Sequence, residues 1–285
     1  MQPIVAVKHP GMFDPAEWLK EGDGLFASAR ELRALWQVRR RALKRRLRAQ
    51  PPVRMAPREW QRLEGMPRAS LLLLGYAVEM YLKSGLTGVY RGCRPAMFER
   101  DLRRVYGHDL GKIAHEIDYP GARAQRSDFR ALRQAVLFDA RYPIAPVAGQ
   151  SFHDQVNRRT ARMWDRRGFA RLCRLAREVR AHASRIDRDP DTPASWYRAD
   201  FDDGGYLAFR SGGGLSPRIT LRLGPTGHEG GDPPAYERLR RLACDAHPQI
   251  AAHWDRAAKR YDGDDKTVAI GRHEDPAPQS GDGES

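Results

Sequence analysis

Residues 70–83 read Ser-Leu-Leu-Leu-Leu-Gly-Tyr-Ala-Val-Glu-Met-Tyr-Leu-Lys. As a helix this run is apolar on most sides, so it has almost no polar face to give to water. Such a helix lies at the centre of a bundle. It carries one acid and one base, Glu79 and Lys83, four residues apart and therefore on one helical face. Tyr76 joins the same face. Charge buried among Leu, Val and Met is costly unless it is paired or used. Two readings of this face stand side by side. One is an internal ion pair that orients two core helices. The other is a polar cluster directed at the mouth of the bundle. Both predict a Glu79 less exposed than its residue type usually is.

The flanking sequence supplies further helices. Asp14-Pro15-Ala16-Glu17 reads as a helix start, with Asp14 as N-cap and Pro15 at the first helical position. Leu25, Ala29, Leu32 and Trp36 recur at helical spacing. That helix continues to Arg48 and stops at Gln50-Pro51-Pro52. The central helix is expected from Met66-Pro67 to Leu86, and residues 87–107 read as irregular. A short helix follows at 109–117. Ser127 is the expected cap of a fourth helix ending at Asp139, with Phe129, Leu132 and Val136 inward. The last long helix is expected over 155–186, with Leu172, Leu175, Ala176 and Val179 as its apolar stripe.

After Asp187 the texture changes. Asp187–Pro193 reads as a linker, Tyr206–Phe209 and Arg218–Leu223 as strands, and Tyr236–Tyr261 as a helix. The expected fold class is mainly α: a helical bundle over 14–186, a small α+β appendage over 196–260, and a disordered tail over 262–285.

Composition narrows the functional classes. The longest apolar run, Leu71–Leu82, is too short to cross a bilayer and contains Glu79. Mean hydropathy is −0.69, so no membrane partner is expected. Met1–His9 lacks the basic–apolar–small pattern of a leader. Cys93, Cys173 and Cys244 have no ligand or redox spacing and fit reduced thiols of a cytoplasm. The net charge of +14 draws the chain toward polyanions, chiefly nucleic acid. Arg dominates the basic residues, however, as a GC-rich genome also produces. The densest run holds Arg39, Arg40, Arg41, Lys44, Arg45 and Arg46. It reads either as a phosphate-tracking surface with Trp36 and Trp60 nearby to stack on bases, or as a solvated helix face with both indoles in the core. His108 and His115, or His247 and His253, complete no metal site. There is no P-loop, dinucleotide fingerprint or nucleophile elbow.

Three motifs occur in order: Leu72-Leu-Leu-Gly75-Tyr76-Ala-Val-Glu79-Met-Tyr-Leu82-Lys83, then Gly107-His108-Asp109-Leu110, then Ala140-Arg141-Tyr142-Pro143. Together they resemble the HEPN superfamily, small helical bundles of bacterial toxin–antitoxin, defence and RNA-processing systems. The resemblance covers about residues 14–186 and does not reach the C-terminal third. Many HEPN proteins are metal-independent ribonucleases with an Arg, four to six intervening residues and a His. Arg103 and His108 fit that spacing. They precede a short middle helix, however, whereas the family's motif lies near the start of the last core helix.

The resemblance implies His108 as acid/base, Arg103 and Arg141 as phosphate stabilisers, and Glu79, Lys83 and Asp109 as orienting groups. It implies RNA or a nucleotide as partner, a homodimer with a composite site, and neither metal nor cofactor. The residue chemistry agrees. Imidazole titrates near neutrality and serves as acid or base, and guanidinium offers a planar fork to phosphate. The plainer reading is that His108 caps the next helix while Asp109 complements its dipole. Other HEPN members lack activity and grip nucleotides, nucleic acids or a nucleotidyltransferase-type protein partner. That is the alternative function.

Overall fold

The computed structural model describes residues 11–49, 56–140, 142–144, 146–224, 240–241, 244–245, 248–263 and 269–270. Arg141, the Pro51-Pro52 stop, the helix start at Tyr236 and most of the expected tail lie outside these residues. The chain divides into two compact units. One runs to Gly88 and resumes over Arg100–Arg185; the other combines Val89–Glu99 with the chain from Ile186 onward. Among the described residues no helix is long and apolar enough to cross a membrane.

The mainly helical unit begins with α1 (Pro15–Ala49), capped by Asp14, whose Oδ1 accepts from the Ala16 N–H at 2.8 Å. The central helix α2 spans Pro57–Val89. It starts well before the expected Met66-Pro67, because Pro57 takes the first-turn position and Arg58–Met66 holds mostly good helix formers. Pro67 therefore sits inside the helix. Residues 87–107 are not irregular: α3 (Pro95–Asp101) runs on into a π-helical turn over Leu102–Tyr106.

Next come α4 (Leu110–Glu116) and α5 (Arg126–Gln134), which continues as a second π-helical turn over Ala135–Asp139. The N-cap of α5 is Gln125, not the expected Ser127, and it makes no side-chain cap bond. The expected single helix over 155–186 is two, α6 (Phe152–Trp164) and α7 (Arg166–Arg185). Asp165 breaks it. Its backbone is extended, and its Oδ1 accepts from the Arg167 N–H at 2.9 Å, starting a new helix.

Trp36, Leu74, Val78, Tyr81, Leu82, Leu110, Ile113, Phe129 and Val179 are buried in this unit's core. Phe129, Leu132 and Val136 point inward as the periodicity predicts. Two glycines let elements approach closely. A Cβ on Gly22 would lie 2.5 Å from the Tyr81 ring, and one on Gly75 would lie 2.4 Å from Val136 Cγ2. Val136 is fully buried on the π-helical end of α5 and has nowhere to retreat. Gly75→Ala is therefore expected to destabilise the protein by about 1–3 kcal/mol. Adding Val136→Ala should recover part of that loss in chemical denaturation.

Two polar ties hold α1 in place. Tyr81 donates to Asp23 Oδ1 at 2.9 Å, and Arg180 of α7 grips the same carboxylate, with Nη2 2.7 Å from Oδ2. The Arg180 bond holds the Asp23 carboxyl below its ordinary value of 3.8. A depressed carboxyl contributes stability above its unfolded pKa and loses it as pH falls through the folded pKa. Asp23→Asn should therefore weaken the bundle at neutral pH, with the deficit fading on acidification below 3.8.

Buried Arg33 donates to the Met163 and Asp165 carbonyls at 2.6 and 2.7 Å, which closes the C-terminal end of α6. Its guanidinium lies 4.5 Å from the Trp36 ring and 4.7 Å from the Phe169 ring. Burial pulls its pKa down to about 10, so it stays charged.

The other unit is built on a five-stranded sheet of β1 (Ser195–Asp200), β2 (Tyr206–Gly212), β3 (Leu215–Arg222), β4 (Ala258–Tyr261) and the two-residue β5 (Ala269–Ile270), in that order. β1–β2–β3 is an antiparallel meander, and β4 joins β3 in parallel. Helix α8 (Pro248–His253) precedes β4. The expected helix over 236–261 thus gives way to a strand at its end, and a strand falls within the expected tail.

One sheet face carries Tyr197, Leu207, Phe209, Ile219 and Leu221 and packs on Ile250, Trp254 and Ala257. The alternate residues of β2 and β3 meet the segment that leaves α2: the Cys93 thiol donates to Thr220 Oγ1 at 3.4 Å, and the Arg94 N–H to the Tyr206 hydroxyl at 3.3 Å. Residues 89–99 therefore serve the sheet rather than the bundle. Burial pushes the Cys93 thiol up to about 11, which leaves it a poor nucleophile.

Candidate functional site

Glu79 lies two-thirds of the way along α2, and only 1% of it is exposed. Lys83, one turn later, donates to Oε1 at 2.6 Å. The imidazole of His108 stands at the other oxygen, with Nδ1 2.9 Å from Oε2. Both carboxylate oxygens are thus used, and the buried charge is matched by the Lys83 ammonium. The ammonium also lies 5.6 Å from the centre of the Trp18 ring, a neighbour that periodicity on α1 alone did not single out. Tyr76, one turn before Glu79, meets the His108 ring edge to face with centroids 6.5 Å apart.

Local sequence places the histidine. The π-helical turn closes with the Gly107 N–H donating to the Leu102 carbonyl at 3.0 Å. Gly107 then takes a φ of +49°, which favours glycine, and the chain reverses into His108. Asp109 caps α4 by accepting from the Lys112 N–H at 3.1 Å. Asp109, and not the His108 side chain, is therefore the cap.

A carboxylate only accepts, so His108 Nδ1 carries a proton. The other nitrogen, Nε2, has no protein partner among the described residues. The His108 side chain is 39% exposed against 2% for that of Glu79, so the ring spans from a buried anchor to the surface. A carboxylate that fixes the tautomer of an imidazole while leaving Nε2 free is the arrangement of a general base. Among the described residues no three His, Cys, Asp or Glu side chains converge as a metal ion requires.

The structure brings Glu79, Lys83, His108 and Tyr76 together. It does not tie Arg103 to them: that side chain is exposed on the π-helical turn and makes no hydrogen bond or ion pair with a described residue. Arg141 lies outside the described residues. The basic run of α1 divides. Arg40 lies against the Trp36 and Trp164 rings at 5.2 and 4.7 Å, and Arg46 pairs with Glu59 at 3.1 Å. Arg40 is half-buried against the two rings, whereas Arg46 stays exposed beside Glu59. Arg39, Arg41, Lys44 and Arg45 are exposed. Trp36 is core, as one reading expected, but Trp60 is 45% exposed and is not.

Fold and site together define a helical-bundle protein with a buried Glu–Lys pair anchoring a surface histidine. No family model, curated protein or solved structure matches the chain.

Proposed function

We propose that this protein acts on RNA as a metal-independent ribonuclease of the HEPN type, in a bacterial toxin or defence system of the cytoplasm. The observation that carries the reading is the Glu79–His108 bond at 2.9 Å, with Nε2 unpartnered among the described residues. In this reading Nε2 takes the proton of a ribose 2′-hydroxyl. The 2′-oxygen attacks the adjacent phosphorus, and the bond to the 5′-oxygen breaks. The products are a 2′,3′-cyclic phosphate and a 5′-hydroxyl. The leaving oxygen takes its proton from a second donor, which the implied homodimer supplies as the other copy's His108. Arg103, five residues before His108 and exposed, is free to swing onto the phosphate and stabilise its added charge. Lys83 is a positioning residue here, because it balances the carboxylate that orients the imidazole.

The test is purified protein incubated with single-stranded RNA in EDTA. Cleavage supports the enzyme, and intact RNA overturns it. The absence of a tie between Arg103 and His108 favours a second reading, a non-catalytic module that grips a nucleotide, a nucleic acid or a nucleotidyltransferase-type partner. Binding without cleavage supports that reading.

A further inference from the structure

The sheet face opposite Leu207 and Phe209 carries arginine where a core would carry apolar side chains. Trp196 and Arg198 of β1 stand on it, beside Arg210 and Ala208 of β2 by strand register, with Tyr206 one step further along. The segment 89–99 belongs to the same unit, meets this face at Tyr206, and adds Arg91 and Arg94. Rings hold the guanidiniums. Arg91 lies 4.5 Å from the centre of the Trp196 ring. Arg94 and Arg198 both lie over the Tyr206 ring, at 5.3 and 4.3 Å. These contacts put three cations on one surface, at the β1 edge of the sheet.

Fastening the segment to the sheet uses only some of their donors. Arg91 gives Nε to Asp187 at 3.3 Å, and Arg94 gives Nη2 to the Gly204 carbonyl at 2.7 Å. Arg198 gives Nε and Nη2 to Asp200. Both Nη atoms of Arg91, Nε and Nη1 of Arg94, and Nη1 of Arg198 have no partner among the described residues, and none of them is closed off from solvent. Asp187 is also shared with Arg210, whose side chain is 2% exposed. Four guanidiniums thus meet two carboxylates. Like charges gathered on one face repel, so folding alone does not favour this excess.

Planar forks with idle donors match an anion that offers several oxygens. A phosphate monoester has three terminal oxygens and carries close to two charges near neutrality. A phosphodiester or a carboxylate offers two oxygens and a single charge. We propose that this face is a phosphate-binding site, with Arg94 and Arg198 as the forks on a phosphate monoester and Arg91 as the further charge beside them. The site lies within the sheet unit and stands whether or not the protein cleaves RNA.

The experiment is calorimetric titration of the full chain at low salt. The probes are inorganic phosphate, uridine 5′-monophosphate against uridine, and oligouridine with a 5′-phosphate against the same strand with a 5′-hydroxyl. Phosphate binding as tightly as the other probes identifies the free ion as the ligand. Tighter binding of the monophosphate identifies a nucleotide, and tightest binding of the phosphorylated strand identifies an RNA end. Arg94→Ala and Arg198→Ala are each expected to weaken the phosphorylated probes about tenfold. Arg94→Lys keeps the charge but not the fork and should recover only part of that loss. Asp200→Asn releases Arg198 and is expected to tighten binding about threefold. The Asp200 side chain is 62% exposed, so this variant should melt like the wild type. The 5′-hydroxyl strand should respond to none of these changes. Uridine binding as well as its monophosphate, a 5′-hydroxyl strand weakened as much as the phosphorylated one, or affinity for phosphorylated probes unmoved by Arg198→Ala and Asp200→Asn overturns the proposal.

Discussion

Replacing His108 by alanine is expected to lower RNA cleavage in EDTA by about 10²–10⁴-fold, the usual contribution of a positioned acid–base group. The loss should fall on kcat with little change in KM, because in the proposed reaction Nε2 acts on the 2′-hydroxyl only as the proton leaves it. The variant should stay folded. His108 is near the surface, and its removal leaves one buried acceptor, Glu79 Oε2, without its partner. An unsatisfied buried acceptor costs about 1–3 kcal/mol, which urea denaturation can measure separately from activity. A drop in cleavage that merely tracked a drop in folded fraction would contradict a catalytic role. Cleavage retained by fully folded His108→Ala would remove the base from the account altogether.

The second large effect is on stability. Glu79→Leu leaves the Lys83 ammonium in an apolar helix face with only 14% of its side chain exposed. Breaking one half of a buried pair costs about 3–5 kcal/mol, far more than the pair itself is worth. Adding Lys83→Met removes the orphaned charge and offers two apolar side chains to a helix that is otherwise Leu, Val, Met and Tyr, so most of the loss should return. The double variant separates two properties. It should fold nearly as well as the wild type yet cleave poorly, because nothing then fixes the proton on His108 Nδ1. Glu79→Leu melting like the wild type would mean that the carboxylate is solvated and the site loosely built.

How much of this was readable from sequence follows from the range over which each interaction acts. The central helix, the Asp14–Pro15 start, the pairing of Glu79 with Lys83 and the inward stripe of Phe129, Leu132 and Val136 all depend on neighbours within about two turns. Periodicity and cap chemistry report such neighbours directly. The break at Asp165 leaves no periodic signal, because its flanks are as rich in helix formers as a continuous helix. A single side-chain cap decides the matter, and Arg33, distant in sequence, closes the end it creates. Met66-Pro67 carries a helix-start signal, but Pro57 offers the same signal ten residues earlier and is the one α2 uses.

Residues 89–99 look irregular because their partners, Tyr206 and Thr220, lie more than a hundred residues away, beyond any local pattern. β1 and β4 are half-buried along most of their length, without alternation, and leave little hydrophobic trace. At the site, the residue types of Glu79 and His108 suggested a meeting, but not which oxygen faces which nitrogen. Nothing local distinguished the lidded Arg40 from the exposed Arg41, since a second helix supplies Trp164.

The central claim is that His108, held by Glu79, takes the proton from a ribose 2′-hydroxyl. The most direct measurement uses an oligoribonucleotide and its counterpart with one 2′-deoxy sugar at the cleaved position, both incubated with the protein in EDTA and analysed for end groups. The account predicts 2′,3′-cyclic phosphate and 5′-hydroxyl ends from the first, and no cut at that position in the second. A 3′-hydroxyl with a 5′-phosphate, or a cut that ignores the missing 2′-hydroxyl, would contradict it.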